Sequence, residues 1–275
     1  VLFVVLAPIT ARYGVSEAVI KIGKGRNQFL RPSKVAWFGT DDIGHDVYSR
    51  IIYGCRVSLL IGLASALVSV IIGATIGSVA GLRGGLFDDL VMRVTDIFLA
   101  FPLIVALLVM RNVIGKVTWL EPITGGLGSV KFFIVLFSLF GWMGVARLVR
   151  AQVMALKERE FVEAARAIGA KSSRIVVRHI IPNSIGPLLV ALSLGVVGSI
   201  VSEATLSLFG YGPQPGANQT SLGLLVGQSK DWVKAGYWWL VVFPIGALLL
   251  ITLCISFIGD GLRDATDPKS SQGRA

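Results

Sequence analysis

Few side chains in this sequence have the type and setting for chemistry, and their spacing keeps them apart. Glu203 stands near the end of an apolar run, 185–206, and Asp96 at the start of another, 94–110. A carboxylate inside an apolar segment is costly unless it faces water or a partner, so both are candidates for lining or gating an aqueous path. A proton-coupled carrier or an intramembrane enzyme needs more: paired carboxylates, or a nucleophile with its base. No spacing pairs Asp96 with Glu203. Asp41, Asp42 and Asp46 cluster without a repeating ligand frame, and read as helix caps and solvated charge. His45 and His179 fall on opposite faces in the topology below, as do Cys55 and Cys254, so neither a metal site nor a disulfide is expected. A Gly-x-x-x-x-Gly-Lys-Ser/Thr phosphate cradle is also missing, so the chain is not itself an ATPase of that kind. The expectation is no catalytic residue, no metal and no cofactor in this chain.

What must position these residues is a set of apolar helices. Of 275 residues, 54% are hydrophobic and only 15% charged, which is outside the range of an ordinary soluble domain. Runs of about 20 apolar residues recur, long enough to cross roughly 30 Å of hydrocarbon. The fold class is all-α: a multi-pass membrane protein of about six transmembrane helices, each satisfying its own backbone in lipid. The net charge of +10 is scattered through loops, which fits anionic lipid and an acidic protein partner rather than nucleic acid.

In order, residues 1–10 read as the outer end of a first span, and 11–55 as a long extracytoplasmic loop. Thr40 or Asp41 caps the helix that leads into the second span, 57–80. Ser65, Ser69, Gly73, Gly77 and Gly81 recur every four residues there, a small-residue stripe that lets another helix approach. Residues 83–93 read as a short loop or amphipathic turn. Pro102 kinks a third span over 94–110, and 111–131 is a Gly-rich turn region. A fourth span starts near Phe132, a fifth covers 185–206, and a sixth covers 237–258, with Trp238 and Trp239 in an interfacial belt. Residues 56–268 form the core, and 269–275 a cytoplasmic tail.

Between the fourth and fifth spans lies a polar, basic stretch, 158–183. Phe161, Ala164, Ala165 and Ile168 fall at i, i+3, i+4 and i+7, one stripe of a short amphipathic helix. Glu160, Glu163 and Arg166 lie on its other faces. Gly169 stands where a left-handed cap ends such a helix. Ser172 or Ser173 caps a second short helix carrying Arg174 and Arg178, and Pro182 restarts the chain.

Glu163-Ala164-Ala165, Gly169 and Ile181-Pro182 resemble the EAA loop of ABC importer permeases. The general pattern has isoleucine where His179 stands and leucine where Ile181 stands. Arg178-His179 ahead of Ile181-Pro182-Asn183 is familiar from the peptide and nickel branch. Trp37–Leu59, the loop from Gly210 to Gly223 and the tail Gly259–Pro268 are similar to the same branch. Within that loop Pro213 is added, Gly216 replaces a proline, and Leu222 stands where tryptophan is common.

The resemblance implies a type I importer permease of the bacterial plasma (inner) membrane, carrying dipeptides or oligopeptides. It implies a sister permease in a heterodimer, two cytoplasmic ABC ATPase subunits or domains that bind ATP and Mg, and an extracytoplasmic peptide-binding protein. Phe161, Glu163, Ala164, Ala165, Ile168, Gly169, Arg174, His179 and Pro182 become the ATPase-coupling residues. Import of nickel or another small solute is the alternative in the class, and a proton-coupled secondary transporter the alternative outside it. Charge counts over the loops nearly tie, so the cytoplasmic side is assigned from the EAA-like loop.

Overall fold

A computed structural model describes residues 10–15, 28–214 and 220–266. The expected first span, the C-terminal tail and part of the first loop lie outside the described residues. Helices dominate the rest. Helix α1 (Val47–Arg83) is followed by α2 (Gly85–Ala100), α3 (Leu103–Ile114) and the short α4 (Glu121–Thr124). Next come α5 (Val130–Leu156), α6 (Glu160–Ala167), α7 (Ser172–Ile175), a π turn (Val176–Ile180) and α8 (Ile181–Asn183). The chain then forms α9 (Ile185–Leu208), α10 (Leu222–Val233) and α11 (Trp239–Thr266). Four of these, α1, α5, α9 and α11, are long and apolar enough to cross a membrane, and α2 with α3 forms a bent fifth candidate.

Several boundaries differ from the sequence reading, each for a local reason. Helix α1 begins at Val47, well before the apolar run, because Asp46 caps it. The Asp46 carboxylate accepts from the Ser49 N–H at 2.9 Å and from the Ser49 hydroxyl at 2.6 Å. Asp41 folds the preceding loop instead, accepting from the Ile43 N–H at 3.0 Å and the His45 N–H at 2.7 Å, and pairing with Arg50. Residues 83–93 are not a turn. Helix α1 ends at Arg83, Gly84 and Gly85 both take positive φ, and the chain is helical again from Gly85.

The third span is two helices, bent by 98°. Pro102 supplies no N–H and pushes Phe101 into an extended conformation (φ −82°, ψ 140°), which ends α2. Helix α10 was not foreseen. Its 12 residues are too short and too polar to register as a span, and Ser221 caps it by accepting from the Leu224 N–H at 3.0 Å.

The chain divides into two compact units. The first joins residues 1–63, 108–135 and 197–254. Here an aromatic cluster ties the loop before α1 to α11. Phe29 stacks on Tyr237 and Phe38 on Phe243, each with ring centroids 4.0 Å apart. Trp239 is buried rather than interfacial, and its indole N–H donates to the Thr40 carbonyl at 3.2 Å. Trp238 keeps the expected exposure.

The second unit joins residues 64–107, 136–196 and 255–275. The small-residue stripe works as expected, and its partner is α5. A Cβ added to Gly73 would lie 2.5 Å from the Trp142 carbonyl oxygen, and one added to Gly77 would lie 2.3 Å from that of Ala146. The backbones therefore touch, and α5 carries Val145, Val149 and Val153 into the core of this unit.

Candidate functional site: the coupling stretch and a buried carboxylate

The stretch after α5 folds into two short helical arms. Three residues, 157–159, separate α5 from α6, so α6 is fixed close to the end of that long helix. Val162 and Ala165 on α6 are buried in one cluster with Val149 and Val153 of α5, Ile175 and Ile180 of the second arm, and Leu188 of α9. Phe161, Ala164 and Ile168 face outward, with Ile168 87% exposed.

This corrects the expected stripe. The four residues do not act together: Ala165 belongs to the inner face, and Val162, one turn before it, completes that face. The outer stripe is Phe161, Ala164 and Ile168, at i, i+3 and i+7. Helical spacing reveals that a short helix has an apolar side. It does not distinguish burial within the chain from exposure when apolar residues occupy both sides.

Gly169 ends α6 as expected. Its φ is +80°, and the Ala170 N–H donates back to the Ala165 carbonyl at 3.0 Å, the wide turn that closes helices in this way. The second arm carries exposed Arg174 and Arg178, and the His179 ring lies 6.2 Å from that of Phe161. Glu163 is exposed on α6.

Near Pro182 the arm widens into the π turn, because proline brings no N–H to the helix. Side chains take over. The Asn183 amide donates to the His179 carbonyl at 2.6 Å, and the Ser184 hydroxyl to that of Ile180 at 2.9 Å. Pro182 thus sits at a satisfied joint between the second arm and α9.

Two ion pairs in the same unit join α2 to α5. Arg150 grips Asp88 through two bonds, at 2.5 and 2.6 Å, and Arg147 pairs with Asp96. Asp88 is buried, whereas Asp96 is 63% exposed at its side chain. Asp96 is visible in the sequence from its place at the edge of an apolar run, whereas Asp88 is not. The signal available was Arg150, a second cation one turn after Arg147.

Glu203 belongs to the first unit and is completely buried there. The Ser58 hydroxyl of α1 donates to one carboxylate oxygen at 2.6 Å, and the Ser221 hydroxyl to the other at 2.6 Å. The Gly223 N–H is a third donor. Each serine is also held from behind: Ser58 accepts from the Leu222 N–H at 3.1 Å, and Ser221 from the Leu224 N–H. The carboxylate is in effect bound to the first turn of α10. Among the described residues its side chain is sealed from solvent.

Comparison with known proteins gives a consistent picture. Residues 73–272 match the family described as "Binding-protein-dependent transport system inner membrane component". The oligopeptide transport system permease protein OppC of Bacillus subtilis (strain 168) is 37% identical over 98% of this chain and 82% of that protein. The dipeptide transport system permease protein DppC of the same organism is 36% identical over 88% of this chain and 71% of its own length. OppC of Escherichia coli (strain K12) is 37% identical over 98% of this chain and 83% of that protein. Among solved structures, a chain of the MetNI methionine ABC transporter in an inward-facing conformation superposes with a TM-score of 0.62. That match covers 79% of this chain and 96% of the other at 18% identity, a likeness of fold.

Proposed function

The chain belongs to the family of binding-protein-dependent transport system inner membrane components, and we propose that it is the permease subunit of an ATP-driven importer of dipeptides or oligopeptides. It forms part of the translocation path and does no bond-making chemistry itself. Its partners in this reading are a sister permease, two cytoplasmic ATPase subunits or domains that bind ATP and Mg, and an extracytoplasmic binding protein that delivers the peptide. The peptide assignment rests on the relatives named for oligopeptide and dipeptide transport.

One observation carries the coupling role. Helix α6 is welded by Val162 and Ala165 to the core that holds α5 and α9, while Phe161, Ala164 and Ile168 are exposed on its other side. An apolar stripe on a short helix fits a groove in a partner. Glu163 at the rim meets a basic partner residue, and Arg174 and His179 flank the contact from the second arm. A push on α6 then reaches α5 and α9 directly, because those helices share its core. Gly169 and Pro182 fix the bend and its joint to α9. Asp96, exposed beside Arg147, is the carboxylate that an aqueous path would meet.

The test is co-purification of the ATPases with Ala164→Trp, together with peptide uptake into vesicles holding the assembled importer. The expected result is spans that stay folded, with ATPase association and uptake both lost. Normal association and normal uptake would remove the coupling role.

A further inference from the structure

Arg111 stands in the last turn of α3 and is buried, with 7% of its surface exposed. It shares that face of the helix with buried Ile114, where an aliphatic side chain would ordinarily sit. Its Nε is sealed from solvent and has no hydrogen-bond partner. Arg50 and Arg150 are less buried, and each grips a carboxylate. Among the described residues no carboxylate pairs with Arg111. A buried charge without a counter-charge is the costly case, and a donor left over in this way points to a ligand or an ion.

What Arg111 does have is an aromatic ring. Its guanidinium carbon lies 4.9 Å from the centroid of Tyr211. The end of α9 fixes that ring in place. Gly210 takes φ +81° and its N–H donates to the Ser207 carbonyl at 2.9 Å, while the Tyr211 N–H reaches back to the Leu206 carbonyl at 2.8 Å. This pair of bonds closes a helix at a left-handed glycine. Three residues on, the Gln214 N–H donates to the Gly128 carbonyl at 2.8 Å and ties the segment to the turn ahead of α5.

The ring offsets part of the charge but leaves Nε without an acceptor. The N–H groups of a guanidinium lie in one plane, as a fork that fits the two oxygens of a carboxylate. Tyr211 is itself 38% exposed, so the pair lies at a boundary that a small group can reach. A broad protein surface cannot enter where so little of the arginine is open, whereas a carboxylate at the end of a slender chain can. Helix α9 leads away from the 158–183 stretch, so its far end, with Tyr211 and Arg111, is extracytoplasmic in the orientation assigned from that stretch.

We propose that Arg111 and Tyr211 form a carboxylate-binding site at the extracytoplasmic end of the spanning helices, and that its ligand is the terminal carboxylate of the transported peptide. Every unmodified peptide carries that group, so one guanidinium serves peptides with unlike side chains. The ligand rests on the peptide-importer reading above, and the site rests on its geometry.

The experiment uses the permease–ATPase complex in detergent, without the binding protein, and equilibrium dialysis against trialanine and against its C-terminal amide. The unmutated complex should prefer the acid by about tenfold or more, the range for a hydrogen bond to a charged group. Arg111→Gln should bring the acid down to the affinity of the amide and leave the amide unchanged. Arg111→Lys keeps the charge without the fork and should keep part of the preference. A second arm compares unfolding temperatures in acetate and in chloride at equal ionic strength. Acetate should raise the temperature for the unmutated complex and not for Arg111→Gln.

Equal binding of acid and amide overturns the proposal, as does no binding of either by an importer that does take peptide up. Equal binding is the result expected if a lipid phosphate or an acidic side chain of the sister permease holds Arg111. A preference that survives in Arg111→Gln also overturns it, and so does a loss of both peptides alike, which would make Arg111 structural only. If Arg111→Gln does not assemble, Arg111→Lys decides, and an undiminished preference there overturns the proposal. Failure of the transport reading looks different: no peptide uptake by the complete importer in vesicles, with acetate still protecting the unmutated complex.

Discussion

Arg150 holds Asp88 through two parallel hydrogen bonds, at 2.5 and 2.6 Å, with the carboxylate buried and the guanidinium partly open to solvent. This forked geometry is the strong form of an ion pair. It ties the first turn of α2 to the last turns of α5, the helix that leads into the coupling arm. Removing Asp88 leaves a half-buried cation without its partner. For Asp88→Ala the expected loss is about 1–3 kcal/mol, less than for a fully buried pair because Arg150 reaches water. Thermal unfolding of the detergent-solubilised protein measures it, and the double reversal Asp88→Arg with Arg150→Asp should recover part of the loss. An unchanged melting temperature in Asp88→Ala would show that the pair holds nothing.

Ala164 and Ala165 are neighbours with opposite fates, one exposed and the other buried against α5. Tryptophan at 165 overpacks a closed core and should cost about 1–3 kcal/mol of stability. Tryptophan at 164 meets open space, so it should leave stability unchanged while blocking a partner. The contrast is read by unfolding each variant alone and then by ATPase pull-down. Equal stabilities would mean that the inner and outer faces of α6 have been assigned wrongly.

Gly169 has φ +80° and nothing within 4 Å of its Cβ position. The cost of a side chain there is purely conformational. Gly169→Ala should destabilise the arm by about 1 kcal/mol without any clash. Protease nicking between α6 and α7 is a sensitive readout, and it should quicken. A rate equal to that of the unmutated protein would contradict the left-handed turn.

Gly77 lies against the backbone of Ala146, 2.3 Å from its carbonyl oxygen at the Cβ position. Backbone cannot rotate away as a side chain can. Gly77→Val is therefore expected to separate α1 from α5 and to cost about 3 kcal/mol or more, seen as lost expression or a lowered unfolding temperature. Gly246, with open space around it, is the control and should accept alanine.

Cys55 lies in α1 and is buried. An impermeant maleimide applied outside intact cells should leave it unmodified, and denaturation in detergent should expose it. Ser172→Cys, on the exposed second arm, should react only after permeabilisation. Labelling of that site in intact cells would reverse the assigned orientation.

The sequence was a good guide wherever one periodic signal dominated. Long apolar runs marked the spans, because a helix in lipid needs about 20 such residues and little else. Serines and glycines every fourth residue marked the face of α1 that meets α5, since only small side chains permit that approach. Gly169 was legible because positive φ strongly favours glycine. The stretch 158–183 is conspicuous through its motif, and it falls inside the family match over residues 73–272.

Other features depend on partners distant in sequence, and periodicity carries no information about them. Spacing places Phe161, Ala164, Ala165 and Ile168 on one side of a helix. Which of them are buried depends on Val149, Val153 and Leu188 arriving from two other helices. Asp46, rather than Thr40 or Asp41, caps α1 because the folded loop uses Asp41 to hold Ile43, His45 and Arg50. Glu203 was conspicuous as a charge in an apolar run, but its partners Ser58 and Ser221 are 145 and 18 residues away. Amino-acid composition and local spacing determined that the chain carries membrane-spanning helices and a short amphipathic arm over 158–183. Only tertiary packing decided which faces are closed, because burial of an apolar or charged group is set by what lies across from it in space.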